Sequence, residues 1–186
     1  MSATNDAALL PHLHQDAQAL LTAWQHDEPR QRGLREEYLA FLQEHPDAMV
    51  RECTVGHLTS SALVMDENRR RVLLTLHPKV GRWLQLGGHN EPGDESVRAA
   101  AQREAIEESG ISEVYVSREP LRLDRHAVPC KGRPSEHLDV QFLALVHSDA
   151  VAVMSDESDD LQWFDLDALP ADLDESVRAL IAEAIS

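Results

Sequence analysis

The most constraining feature of this sequence is a predicted helix, residues 95–109, whose last two turns carry three glutamates before a glycine. Glu104, Glu107 and Glu108 stand at positions i, i+3 and i+4, which an α-helix places on one face. The carboxyl end of a helix is the negative end of its dipole, so each carboxylate there costs about 0.3–1 kcal/mol. Gly110 follows as a typical helix stop. A carboxylate cluster that opposes the local field indicates a functional site, and a solvated acidic face is the simpler alternative.

Carboxylate oxygens are hard ligands, so this face favours the binding of Mg²⁺ or Mn²⁺. The loop before the helix begins with Gly87 and Gly88, where the absence of a side chain permits close approach of another group. The backbone carbonyl of Gly88 is a candidate further metal ligand, and His89 is a candidate contact for a phosphate or a metal. A simple turn is the alternative for the two glycines taken alone.

The composition restricts the partners of such a site. The chain has 186 residues, with 17 basic and 33 acidic side chains, a formal net charge of −16 and 42% apolar residues. Because like charges repel, we expect neither nucleic acid nor an anionic membrane surface as a partner. Residues 148–186 alone hold eleven acidic residues and one basic residue. A phosphorylated small molecule would therefore need a cation in order to bind.

The sequence also indicates the cellular compartment of the protein. It has no run of 18 apolar residues and no signal-peptide pattern. Cys53 and Cys130 are far apart and form no CxxC motif, so no disulfide framework is expected. We therefore expect a cytoplasmic protein in a reducing compartment, with no contact to a membrane.

The predicted secondary structure changes near residue 50. Apolar residues recur at helical spacing in two segments within 6–45, which predicts an N-terminal helical extension over residues 1–50. Residues 51–186 are predicted to form a mixed α/β domain. Its strands are expected at 58–65, 71–77, 83–86, 112–125, 138–147 and 161–164, and its helices at 95–109, capped by Asp94, and at 173–184.

Residues 88–111 resemble the Nudix box, the signature of the Nudix hydrolase family. The family pattern is a glycine, five residues, a glutamate, seven residues and then R-E-U-x-E-E-x-G-U, in which U is a bulky apolar residue. Residues 95–111 match this pattern, with Ala105 as a small residue at the first U position.

One extra residue separates Gly88 from Glu95 in comparison with the family pattern. Either Glu95 is the glutamate of the box and the loop holds the insertion, or Asp94 takes that place and the helix holds it. We favour Glu95, because a loop accepts an insertion more easily than a helix does.

The resemblance implies a Nudix-type mixed sheet sandwiched between helices. It also implies hydrolysis of a diphosphate linkage in a nucleoside diphosphate joined to a further group. The three glutamates and the carbonyl of Gly88 would hold Mg²⁺ or Mn²⁺, and Arg103 would pair with Glu95 to brace the loop against the helix. One of the glutamates or a later acid would act as general base. The candidate acids outside the box are Glu157, Asp160, Glu136 and Asp139.

Two other functions are compatible with the resemblance. Isomerisation of isopentenyl diphosphate needs a cysteine that faces the metal site, whereas Cys53 and Cys130 lie at the edges of the domain. A non-catalytic module that senses a ligand or binds a partner is the second alternative, although such modules usually lose the glutamates. A homodimer through the helical extension would cover its apolar stripe. His126, Cys130 and His137 match no standard zinc spacing, so we interpret them as ordinary residues of the domain.

Overall fold

The N-terminal helices form where the sequence predicts them. The computed structural model describes residues 9–78, 80–130, 133–155 and 158–186. Helix α1 spans Pro11–Ala23 and helix α2 spans Pro29–Glu44. Both begin with proline. The first N–H groups of a helix have no acceptor within the helix, so the absence of an N–H in proline costs no hydrogen bond there. On α1 the buried residues Leu13, Ala17 and Leu21 repeat every four positions and form the inward face.

The described part of the chain continues with eight strands in one mixed sheet and two further helices. Their bounds are β1 His57–Asp66, β2 Arg71–His77, β3 Arg82–Leu84, β4 Leu86–His89, α3 Val97–Ser109, β5 Tyr115–Val116, β6 Arg122–Cys130, β7 Arg133–Val146, β8 Asp160–Asp165 and α4 Glu175–Ala184. Within these ranges each helix is too short or too polar to be a membrane span.

Strand β1 lies at the centre of the sheet. One edge pairs antiparallel with β4, where Thr59 faces His89, and with β2, where Val64 faces Leu73. The other edge pairs parallel with β7 along its whole length, beginning with His57 opposite His137. Strand β7 in turn pairs antiparallel with β6 and β5. The chain therefore brings β4, β1, β7 and β6 side by side, although they are distant in sequence.

The two faces of the sheet pack against different helices. Successive side chains of a strand point to opposite faces, and β1 follows this rule. Leu58 and Val64 belong to the core shared with α1, α2 and α3, whereas Leu63 and Met65 belong to the core formed with α4. The predicted mixed sheet between helices is thus confirmed.

Several predicted elements differ from the structure. The strand expected at 83–86 is two strands, β3 and β4, and β4 includes Gly87 and Gly88, which were predicted to begin a loop. The strand expected at 138–147 is β7, which begins at residue 133. Helix α3 begins at Val97 after the N-cap Ser96, whose side chain accepts a hydrogen bond from the Ala99 N–H, so the predicted Asp94 cap is wrong. The strand expected at 112–125 is divided into β5 and β6, and β6 continues to Cys130. Both strands pair with β7, and the segment between them contains Pro120, which has no backbone N–H to donate to a sheet ladder.

The N-terminal helices and the sheet share one hydrophobic core. Tyr38 of α2 is completely buried, and its hydroxyl donates to the Asp124 carbonyl at 2.6 Å. The Gln31 side chain exchanges two hydrogen bonds with the backbone of Leu123, of 3.0 and 2.7 Å. The apolar stripe of the extension is therefore covered within a single chain, and the homodimer stays a prediction.

Candidate active site

Helix α3 presents the three predicted glutamates near its carboxyl end. Gly110 adopts the left-handed conformation (φ 67°) and donates its N–H to Ile106, which ends the helix as expected. Glu104 is buried, Glu108 is half-buried and Glu107 is exposed. The helix face thus runs from the interior, at Glu104, to solvent, at Glu107.

The carboxylate of Glu104 lies directly against Gly88 of strand β4. A Cβ at position 88 would come within 2.7–2.8 Å of the carboxylate atoms of Glu104, which is closer than real Cβ contacts. Gly87 is equally restricted, since a Cβ there would lie 2.3 Å from the Ser61 Cβ. Glycine at position 87 permits the close approach of β4 to β1, and glycine at position 88 leaves room for the Glu104 carboxylate.

Arg103 connects helix α3 to the preceding loop. Its Nε and Nη2 donate to the two carboxylate oxygens of Asp94 at 2.9 and 3.1 Å, and Nη2 also donates to the His89 carbonyl at 2.9 Å. This bidentate geometry holds the loop in one position relative to the helix. The hydrogen bonds to Asp94 raise the pKa of Arg103.

The same guanidinium also contacts two of the three glutamates. Its Nη1 donates to Glu104 at 2.9 Å and to Glu107 at 3.0 Å. Arg103 therefore partly neutralises the carboxylates that the helix dipole disfavours. The pair with Glu104 is shielded from solvent, because the two side chains are 20% and 11% exposed, whereas the Glu107 side chain is 58% exposed and its pair resembles an ordinary surface pair.

The predicted pair of Arg103 with Glu95 is wrong, because Asp94 occupies that place. Asp94 is 5% exposed and also accepts a hydrogen bond from the Glu91 N–H at 2.7 Å, whereas Glu95 is exposed. The inserted residue lies before the N-cap Ser96. The extra residue therefore lies in the loop whether Asp94 or Glu95 is the acid of the box. The position of the insertion gives no reason to prefer Glu95.

The N-terminal extension supplies two contacts to this site that the sequence analysis missed. The Asp16 carboxylate of α1 accepts the Val97 N–H at 2.8 Å, at the first residue of α3. His12 donates from Nε2 to the Asp94 carbonyl at 2.9 Å. No motif signalled these contacts, because they depend on how α1 docks onto α3.

Asp139, one of the further predicted acids, is buried and accepts hydrogen bonds from several side chains. It is 3% exposed, and its carboxylate accepts hydrogen bonds from Thr59 at 2.9 Å and from Ser61 at 2.6 Å. Gln85 and Gln141 each donate to the same carboxylate at 3.2 Å. Burial raises the pKa of Asp139 above its ordinary value.

The remaining predicted acids that the structure describes have partners outside α3. Asp160 is exposed at the start of β8 and accepts the N–H of the adjacent Leu161. Glu136 forms an ion pair with Arg125. Glu157 lies outside the described residues.

The donor chemistry of α3 fits a hard divalent cation. Three carboxylates and a backbone carbonyl at Gly88 are oxygen ligands of the kind that Mg²⁺ and Mn²⁺ prefer. Among the described residues, two groups of three place their ligand atoms within 4.8 Å of one another, and neither includes a glutamate of α3. A cavity of about 620 Å³ opens between α2, β6 and α4, and none of those glutamates lines it.

Comparisons with known proteins agree with this architecture. The family model of the NUDIX domain matches residues 56–184. A NUDIX-family hydrolase from Clostridium perfringens is 25% identical, with a TM-score of 0.55, over 69% of this chain and 97% of the other. No protein in a search of curated sequences matches this chain.

Two more distant structures show the same fold. The NUDIX domain of Shewanella oneidensis NrtR, solved with ADP-ribose, is 23% identical with a TM-score of 0.53, over 81% of this chain and 96% of that chain. An Ap4A hydrolase from C. elegans is 21% identical with a TM-score of 0.52, over 69% of this chain and 94% of that chain. Because the family model covers more than half of the sequence and the site has the geometry described above, the chain belongs to the Nudix family.

Proposed function

We propose that this protein is a metal-dependent hydrolase of a diphosphate linkage in a nucleoside diphosphate joined to a further group. The observation that carries the proposal is the contact of Glu104 with Gly88, held in place by Arg103. A buried carboxylate that occupies the space beside a glycine and is bridged by an arginine is a costly arrangement for a merely structural helix.

In this proposal the glutamates of α3 and the Gly88 carbonyl hold Mg²⁺ or Mn²⁺. A bound divalent ion neutralises phosphate oxygens and lowers the pKa of its bound water. The protein itself cannot attract a diphosphate without such an ion, since its formal net charge is −16. One carboxylate of the cluster, or a later acid such as Asp160 at the start of β8, would accept the proton from the attacking water.

Arg103 acts through the residues that it positions. Its hydrogen bonds to Asp94 and to the His89 carbonyl fix the loop that follows β4, the strand of Gly88, and its contact with Glu104 orients that carboxylate. The Nε, Nη1 and Nη2 atoms of Arg103 all donate to carboxylates or to the His89 carbonyl, which supports a positioning role and not contact with phosphate.

The substrate is best sought among nucleotides with a diphosphate bridge. ADP-ribose and Ap4A belong in the test because the NrtR domain was solved with the first and the C. elegans enzyme is named for the second. A nucleoside triphosphate and isopentenyl diphosphate complete the panel. The last compound tests the isomerase alternative, which would yield an isomer without release of phosphate.

The decisive experiment compares the wild type with Glu108→Gln across this panel, with Mg²⁺, with Mn²⁺ and with neither. We expect metal-dependent hydrolysis of at least one nucleotide and a loss of at least about 100-fold in Glu108→Gln, since a direct ligand should matter more than its outer partners. Glu113→Gln is the matched control, because Glu113 is exposed and lies outside the box.

Two results would count against the proposal. Undiminished hydrolysis by Glu108→Gln would remove the metal assignment. Nucleotide binding without any hydrolysis by the wild type would favour the alternative of a non-catalytic module.

A further inference from the structure

Three histidines that are far apart in sequence meet on one face of the sheet. His57 begins β1 and faces His137 of β7 directly in the parallel register. His89 ends β4, which pairs with β1 two residues further along, at Thr59. Residues two apart on a strand share a face, so the register brings all three side chains together. Sequence spacing gave no sign of this group.

The geometry of these imidazoles approaches that of a metal site. Their ligand nitrogens all lie within 4.8 Å of one another. The ring centroids are 5.0 Å apart for His57 and His89, 4.8 Å for His57 and His137, and 5.3 Å for His89 and His137. Zn–N bonds of about 2.0–2.1 Å in a tetrahedron separate two nitrogens by roughly 3.3 Å. Small side-chain rotations would therefore close the group around an ion.

The three imidazoles are largely shielded from solvent. His57 is completely buried, and the other two are half-buried. The nearby His126 packs on His137 at 5.5 Å, but its Nδ1 is engaged by Asp124 at 2.8 Å.

We propose that His57, His89 and His137 form a binding site for one divalent transition metal ion, with Zn²⁺ as the expected ion. Imidazole nitrogen suits zinc, whereas the oxygen ligands of α3 suit magnesium. Three protein ligands leave a fourth position for water or an anion. The site is therefore chemically distinct from the one proposed on α3.

The ion would also stabilise the loop of the candidate active site. His89 directly follows Gly88, and its carbonyl accepts the hydrogen bond from Arg103. A zinc ion on the His89 ring would thus tie this end of β4 to β1 and β7. We expect zinc to raise the melting temperature of the metal-free protein, as any ligand specific to the folded state does.

The test measures zinc directly and does not depend on hydrolysis. The metal-free wild type is dialysed against one equivalent of Zn²⁺, bound zinc is quantified by mass spectrometry, and its ligands are identified by X-ray absorption at the zinc edge. We expect one zinc per chain with imidazole nitrogens at about 2.0–2.1 Å. His89→Gln and His137→Gln should bind zinc at least about 100-fold more weakly, because each removes a direct ligand.

Two controls locate the ion. His147→Gln removes an exposed histidine outside the group, and Glu108→Gln removes a proposed ligand of the other site; both should keep the zinc. Circular dichroism checks that each variant is folded. The proposal is overturned if the wild type retains no zinc, if the absorption spectrum shows oxygen ligands alone, or if folded His89→Gln and His137→Gln bind zinc as the wild type does. Loss of hydrolysis alone would not affect it.

Discussion

At the scale of single residues, the contact between Gly88 and Glu104 makes the clearest prediction. Gly88→Ala would place a Cβ 2.7 Å from the Glu104 carboxylate. The carboxylate is the flexible end of a long side chain, so it can move away at a cost of about 1 kcal/mol or less in folding free energy. It then leaves its place as a metal ligand, and we expect a loss of about 10–100-fold in hydrolysis.

Activity assays and urea unfolding on the same samples show whether hydrolysis falls while the free energy of unfolding is nearly unchanged. Gly93→Ala is the matched control, because a Cβ at Gly93 meets no atom within 4 Å. A Gly88→Ala protein with full activity would show that the position of the Glu104 carboxylate is unimportant.

Two neighbouring acids are distinguished by their burial. Asp94→Asn weakens the bidentate pair with Arg103 in a buried setting, and we expect a loss of about 1–3 kcal/mol in the free energy of unfolding. Glu95→Gln alters an exposed side chain and should change that free energy by less than about 0.5 kcal/mol. Urea denaturation of both variants measures the difference. If Glu95→Gln were the more destabilising change, the pairing described here would be incorrect.

At the scale of elements, the start of α3 is held by α1. The Asp16 carboxylate accepts the first helical N–H of α3, at Val97, and so acts as a cap from another helix. Asp16→Ala should lower the free energy of unfolding by about 0.5–2 kcal/mol, and Asp16→Asn should recover part of it because the amide oxygen still accepts. Thermal unfolding compares both with Gln15→Ala, an exposed position on the same helix. Equal stability of all three variants would contradict the capping role.

The elements that could be predicted from sequence are those with a strong local signal. The helices of the extension have clear periodicity, and the hairpin of β1 and β2 has a polar turn at residues 66–68. The parallel pairing of β1 with β7 has no local signal, since its partners are separated by most of the domain. The division of the 112–125 strand was missed although Pro120 lies between β5 and β6.

The candidate site was predicted in part. The glutamates of α3 and the close approach at Gly88 follow from local pattern, because helical spacing and glycine geometry are properties of short segments. The choice of Asp94 over Glu95 depends on where the helix begins, which the N-cap Ser96 decides. The histidine group depends on the register of three strands, and no spacing rule reports that.

At the scale of the whole molecule, the N-terminal extension is joined to the opposite side of the sheet through Arg122. This guanidinium contacts Glu28, which precedes α2, at 2.8 Å and Glu183 of α4 at 3.1 Å. The hydrogen bond from Arg122 lowers the pKa of Glu28 below its ordinary value of 4.5. Ionised Glu28 therefore stabilises the fold fully above about pH 4.5, and the contribution is lost as the pH falls through the lowered pKa.

This predicts a pH-dependent difference between the wild type and Glu28→Gln. Above pH 4.5 the wild type should be more stable, by less than about 1 kcal/mol because the Glu28 side chain is 39% exposed. The difference should shrink as the solution is acidified, since protonated Glu28 resembles glutamine. Urea midpoints from pH 7 to pH 3 measure it, with Glu36→Gln, an exposed change on α2, as the control. A difference that grows on acidification would contradict the assignment.

The central claim is that the carboxylates of α3 and the Gly88 carbonyl bind the cation that hydrolysis requires. Anomalous diffraction from crystals containing Mn²⁺ and a non-hydrolysable diphosphate nucleotide tests it most directly. The account predicts a manganese peak coordinated by Glu104 and at least one of Glu107 and Glu108, with the diphosphate on the same ion. A peak bound elsewhere, with the three carboxylates apart and the nucleotide distant from α3, would contradict it.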